Sequence, residues 1–249
     1  MEKVHTTEEY ISIDKQGNIK SGEIKSQEQL DRIETQSTSL VTISAAMFAG
    51  NGQVAQGVEV TEVVGTKPAT LSVSQNLCSS RDVREDFTCD KRMSKTWTTA
   101  QIYVGQNVMA YYDVNQTLFW EYNGNGVATW AGNPPTVKTT TWVEGTFLTN
   151  SKGVWYPSYV DEQSGKTLLA PASAEYKKVP VDQRVKWGPT ERKIYKTWYE
   201  AQYGIRSWDN IEIHHIIPRA YGGSNDPANL IPLPKSFHRG TVTPWWTNY

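Results

Sequence analysis

The sequence predicts an α+β fold: an antiparallel β-sandwich-like domain followed by a small C-terminal module of strand, loop and helix. Three observations lead there. From about Ser37, short runs rich in β-branched and aromatic residues follow one another, separated by Gly, Pro and Asn turn signals. Near Pro189 the pattern changes to the spacing of a capped helix. The charge changes sign too. Residues 1–176 carry 14 Lys and Arg against 20 Asp and Glu, a balance of −6, whereas residues 177–249 carry 11 against 6, a balance of +5. A polyanionic partner would meet the basic tail.

Taken in order, residues 1–36 are dominated by Glu, Lys, Gln and Ser and read as a flexible segment, with a short helix in "SQEQLDRIET". Residues 37–160 hold the strand candidates "SLVTISAAMFAG", "GVEVTEVVG", "ATLSVSQNLC", "TWTTAQIYVG", "VMAYYDV", "TLFWEYN", "GVATWAG" and "TTTWVEGTFLT". The turn signals "GNG", "GTKP", "NGNG", "GNPP" and "NSKG" separate them. Trp97, Thr99, Gln101 and Tyr103 alternate with Thr98, Ala100, Ile102 and Val104, which places them on opposite faces of a strand. Short alternating strands at this spacing build an antiparallel sandwich or barrel. The aromatics between Tyr111 and Tyr156 fit either its core or a stacking surface for a ligand, and strand propensity favours the core.

Residues 161–188 contain prolines and no clear period, and read as a linker draped over a neighbour. Residues 189–249 form the last module. It opens with a helix for which Thr190 is the candidate N-cap, Glu191 lies in the first turn and Gly204 is the stop. Ile194, Trp198 and Ala201 recur at helical spacing as its buried stripe, and Arg192, Lys193 and Lys196 make a basic face.

No apolar run is long enough to span a bilayer, and the polar N-terminus has no signal-peptide core. Cys78 and Cys89 close the loop "CSSRDVREDFTC". In an oxidising compartment they would pair, and in the cytosol they would stay thiols.

Three of the four histidines fall in "IEIHHIIPRAYGGSNDPANLIPLPKSFHR", residues 211–239. Ile211, Ile213 and Ile216 frame an extended segment that Pro218 ends. "RAYGGSNDPANL" is a loop, and "DPANLIPLPKSFHR" reads as a short helical stretch leading to His238. Neighbours on a strand point to opposite faces, so His214 and His215 have different jobs.

This stretch resembles the ββα-metal (His-Me finger) motif of the HNH endonuclease family, in which a hairpin and a helix clasp one divalent ion. The family pattern is a His or Asp followed by His, then Ile-x-Pro, often Gly-Gly, then Asn-Leu and a His nine residues beyond the Asn. His214-His215, Ile216, Pro218, Gly222-Gly223, Asn229-Leu230 and His238 fill it, within about 30 of the 249 residues. The resemblance implies a metal-dependent nuclease. His214 and His238 would be ligands of one divalent metal ion (Mg, Mn, Ni or Zn), His215 the general base, and Asn229 the residue that braces the hairpin and orients that base. Arg219, Lys235 and Arg239 lie near enough in sequence to clamp phosphates.

A site built on phosphates reads backbone more than bases, so low specificity is expected, on nucleic acid with DNA ahead of RNA. Many members add Cys pairs for a structural zinc. This chain has none there, so packing must hold the module, with Trp245 and Trp246 as candidates. A further ligand four residues after the last His is replaced by Val242. A catalytic module behind a larger front domain is similar to the layout of secreted bacterial polymorphic toxins, which implies export and an immunity or inhibitor protein as a second partner. The alternative is an extracellular β-sandwich binding or surface protein with a structural metal site in its tail, completed by Asp226 or Glu212. A fragment starting near Lys178 is expected to keep nuclease activity, and residues 37–160 to fold alone.

Overall fold

The computed structural model describes residues 1–249, the side chain of residue 144 apart. The chain runs through β1 (Glu2–Asp14), β2 (Ile19–Glu23), α1 (Gln27–Gln36), β3 (Ser37–Gly50), β4 (Gln53–Gly65), β5 (Thr70–Ser80) and β6 (Thr88–Thr98). It continues through β7 (Asn107–Asp113), β8 (Leu118–Trp130) and β9 (Thr136–Thr149). These strands pair antiparallel in two sheets, ordered β2-β1-β3-β4-β7 and β6-β5-β8-β9. Ile43, Met47 and Val58 from one sheet meet Leu71, Leu77, Trp97, Trp120 and Tyr122 from the other in a dry core. Trp130 and Trp142 are buried there as well, so these aromatics pack; Tyr111 stands exposed on the edge strand β7.

Residues 1–36 are a correction to the sequence expectation of a flexible segment. They form β1, β2 and α1, and β1 pairs with β3 along its length, from Glu2 opposite Ala49 to Asp14 opposite Ser37. The composition misleads because several buried positions of β1, on both of its faces, are polar. Thr7, Glu9, Ser12 and Asp14 are buried beside Ile11, and Glu9 accepts a hydrogen bond from Thr140 on β9 at 2.5 Å.

Two strand boundaries differ for physical reasons. "NGNG" is the middle of β8 and not a turn: Asn123 and Asn125 bond across to Asn76 and Ser74 on β5. Gly124 leaves room for its neighbours, since a Cβ there would stand 2.6 Å from the Trp142 ring. β6 ends at Thr98, and Thr99–Gln101 form a 3₁₀ turn in which the Gln101 side chain accepts from the Thr98 N–H. Trp97 and Ile102 are therefore buried together, and Tyr103 and Val104 both face solvent.

Cys78 on β5 and Cys89 on β6 are joined by a disulfide. The Cys78→Ala, Cys89→Ala double variant is expected to lose about 3 kcal/mol through the freed unfolded chain. Denaturant titration of oxidised wild type against the variant checks this; equal midpoints would reject it.

The C-terminal part comprises α2 (Pro189–Tyr203), β10 (Ile211–His215), β11 (Leu230–Pro234), α3 (Lys235–Phe237), a π turn His238–Val242 and α4 (Thr243–Thr247). No helix is long and apolar enough to cross a membrane among the described residues. The N-cap of α2 is Gly188 and not Thr190: its N–H donates to the Glu191 carboxylate at 2.7 Å, with Pro189 in the first turn. The buried face is also shifted by one residue. Tyr195 and Tyr199 pack against Leu230, while Ile194 is 65% exposed and Ala201 faces solvent. Tyrosine wins because its ring fills the core while its hydroxyl finds an acceptor, Leu230 O for Tyr195 and Asp161 for Tyr199.

Residues 161–188 are an ordered strap. Asp82 bridges to Ser173 and Val160 to Thr167, and Leu168 and Ala174 are buried. Asp161, 1% exposed, accepts from Ser164, Tyr199 and Arg206, tying the strap to α2 and to the loop after it. One apolar cluster joins Phe119 of β8, Leu148 of β9 and Tyr156 to Ile231, Leu233, Val242, Trp245 and Trp246. Trp245 also donates to Val154 O, and Asn150 to Trp245 O. The two halves share this core, so a fragment starting near Lys178 would expose its apolar face and lack Asp161.

Candidate active site

β10 and β11 form a two-stranded antiparallel hairpin, with His214 opposite Ile231 and His215 opposite Leu230. Residues 230–234, expected as helix, are thus the second strand, and the helix begins at Lys235 after Pro234. The strand period puts Glu212 and His214 on one face and Ile213 and His215 on the other.

On the first face, His214 Nδ1 and His238 Nε2 stand 3.0 Å apart. Behind them, His238 Nδ1 donates to the Glu212 carboxylate at 2.7 Å, which aims the Nε2 lone pair at His214. Two imidazole nitrogens bound side by side at about 2.0–2.1 Å from one ion lie about 3 Å apart, so this pair can share an ion. The other nitrogen of His214, Nε2, is buried without a partner among the described residues. Burial, with the charges of His238 and His215 adding to it, pushes the His214 pKa down to about 3, so the ring is neutral and fit to ligate. No group of three or more His, Cys, Asp or Glu suited to a metal converges among the described residues. The donor set is two nitrogens. Val242, at the possible third position, is fully buried in the shared core.

On the second face, His215 Nε2 donates to the side-chain oxygen of Asn225 at 2.9 Å, leaving Nδ1 as the nitrogen free to take a proton. Asn225 is itself fixed by donating to Lys186 O at 2.8 Å. The His215 ring meets the edge of Trp187, with centroids 4.6 Å apart. Burial lowers the His215 pKa and nearby Arg219 adds to that, while the Asn225 bond opposes it, so the neutral ring that a general base needs is favoured.

Asn229 braces the loop between the strands. It accepts the Ile217 N–H at 2.8 Å and donates to Ile217 O and Ser224 O. The residue that touches His215 is Asn225, so Asn229 acts on the hairpin and not on the base directly. Gly223 is required under this clamp, because a Cβ there would stand 2.6 Å from the Ile217 carbonyl carbon. Lys166 of the strap donates to Pro227 O, Ala228 O and Leu230 O at 2.7–2.8 Å, holding the far end of the same loop.

His215 and His238 open into one pocket of about 540 Å³, lined also by Trp187, Arg192, Lys196 and Arg219. Of the three expected phosphate clamps, Arg219 and Arg239 line this pocket, Arg219 with its Nε anchored on Val185 O. Arg239 is committed to Glu212 through two nitrogens, and Arg239 above all holds the Glu212 pKa down at about 2. Lys235 lies in a separate groove beside Asn210. The cations that sequence proximity missed come from α2: Arg192 over Trp187 and Lys196 over Trp208. The only sequence signal for them was the basic helix face. Asn225 had none, since it stands among turn-forming residues that all look alike.

Residues 201–239 match the family model described as HNH endonuclease, a span from the end of α2 through the hairpin to His238. The C-terminal region thus carries a match to the HNH endonuclease family model, set behind antiparallel sheets in an α+β chain. No curated protein and no solved structure matches the chain.

Proposed function

We propose that the chain is a metal-dependent nuclease that hydrolyses phosphodiester bonds of nucleic acid, DNA ahead of RNA and with low sequence specificity. The observation that carries this is the facing pair of His214 and His238 nitrogens, 3.0 Å apart, with His238 opening into the same cationic pocket as His215. His214 and His238 would hold a divalent ion, which would supply charge stabilisation for the phosphate and the leaving oxygen. His215 Nδ1 takes a proton from water as the water oxygen attacks phosphorus and the P–O ester bond breaks. Asn225 keeps the proton of His215 on Nε2. Arg219, Arg192 and Lys196 bind non-bridging oxygens and orient the strand. Trp187 covers the base from solvent.

In this account the sandwich is the delivery half of an exported toxin, and an inhibitor protein protects the producing cell. The layout similar to polymorphic toxins supports that assignment. A structural metal site in a surface protein fits less well, because such sites close with four ligands and two are gathered here.

Incubating plasmid with the full chain and Mg²⁺, Mn²⁺, Ni²⁺ or Zn²⁺, with and without EDTA, tests the proposal. Nicking that EDTA abolishes is expected; none with any of these metals would favour the surface-protein alternative. His214→Ala and His238→Ala should each weaken metal affinity by calorimetry, with activity partly returning at high metal concentration. Unchanged affinity in both variants would reject the metal site.

A further inference from the structure

A second cavity, about 680 Å³, lies where the strap passes between the sandwich and the C-terminal helices. Its wall carries Arg81, Lys177 and Lys178 against one carboxylate, Glu175, which Arg81 already holds at 3.2 Å. Two lysine charges are left unmatched. Tyr176 presents a partly exposed ring, and Thr117 contributes a buried hydroxyl with no hydrogen-bond partner among the described residues. Nothing in the hydrolytic mechanism uses this wall.

Its position ties it to the catalytic pocket. Arg219 lines that pocket, and Tyr221, two residues on in the same 3₁₀ turn, lines the cavity. Consecutive Cα atoms are 3.8 Å apart, so the backbone positions of Arg219 and Tyr221 lie within about 8 Å of each other. Val179 donates to Ala220 O at 2.8 Å, which fixes Lys178 beside the same turn. Unmatched cations beside an aromatic ring are the chemistry that holds a single nucleic-acid strand without regard to sequence.

We propose that this cavity is a second nucleic-acid subsite, which binds a single-stranded stretch on one side of the scissile phosphate. Lys177 and Lys178 contact its phosphates, and Tyr176 stacks on a base. The assignment rests on the nuclease function proposed above.

The test uses the full chain carrying His215→Ala with EDTA present, so that substrate stays uncut, and fluorescence anisotropy of a short labelled single-stranded DNA. Replacing Lys177 and Lys178 by Gln is expected to weaken binding about tenfold at about 0.1 M salt. The slope of log affinity against log salt should fall by about 1.4, the counterion release of two single-strand phosphates. In the cleaving chain the same pair of substitutions should raise KM for the oligonucleotide with kcat unchanged. Hydrolysis of bis(p-nitrophenyl) phosphate, too small to reach the cavity, should stay as it was. Unchanged affinity and slope, or an equal loss on both substrates, would overturn the subsite and leave the nuclease function standing. Failure to cleave any substrate would overturn the nuclease function instead, and unaltered anisotropy would still decide against the subsite.

Discussion

His215→Ala is expected to lower kcat for phosphodiester cleavage by about 10²–10⁴-fold, the usual cost of losing a general base. Metal affinity should stay close to wild type, because His215 bonds Asn225 and neither nitrogen of the His214–His238 pair. The fold should survive too. His215 fills a partly open pocket beside Trp187 and is not part of the shared apolar core. Single-turnover cleavage and metal calorimetry on the same preparation check both halves. A wild-type rate would remove His215 from the chemistry, and lost metal affinity would make it a ligand. Asn225→Leu should act through the base alone, lowering kcat by about 10–100-fold with KM little changed, on the scale of other outer-shell partners. Asn225→Asp keeps the acceptor and should recover much of the loss. Equal losses in both variants would show that Asn225 holds the loop and not the His215 proton.

The second large effect is expected from Asp161, far from the chemistry. Asp161→Ala strands the Arg206 guanidinium, 14% exposed, and leaves the buried Tyr199 hydroxyl without its acceptor. Removing one partner of a buried ion pair costs about 3–5 kcal/mol. For a chain of this length that corresponds to a fall in Tm of about 10 °C. Burial pushes the Asp161 carboxyl up, but hydrogen bonds from Ser164, Tyr199 and Arg206 outweigh it and hold the group below the usual carboxylate range. A depressed folded pKa means that the stabilisation is present above the unfolded value of about 3.9 and is lost as pH falls below it. The gap between wild type and Asp161→Asn should therefore be full at neutral pH and narrow in acid. Thermal melts across that range decide it; a gap that does not change with pH would remove the charge from the explanation.

The histidine hairpin was legible in the sequence because the chemistry proposed for it demands particular residues at fixed separations. His214, His215, Asn229 and His238 cannot move without losing their hydrogen bonds. The sandwich was legible from alternation and turn residues. What stayed hidden depends on partners distant in the chain. β1 buries Glu9 against Thr140, 131 residues away, so its composition resembles an unfolded segment. The strap looks structureless because Lys166, Val185 and Lys186 order it through bonds to the catalytic loop, and these leave no periodic trace. Of the expected stripe of α2, Trp198 packs half-buried beside Tyr195, whereas Ile194 and Ala201 face solvent because Tyr195 and Tyr199 use the buried acceptors. Arg239 was expected to meet phosphate, but Glu212, itself placed by β10 to orient His238, captures it.

The central claim is the division of labour between two faces of one strand: His214 and His238 for the ion, His215 for the proton. A crystal structure of the full chain soaked in Mn²⁺, with an anomalous difference map, tests it most directly. The account predicts one peak bonded to a ring nitrogen of His214 and one of His238, with His215 outside bonding distance and still held by Asn225. A peak ligated by His215, or none between His214 and His238 at saturating metal, would contradict it.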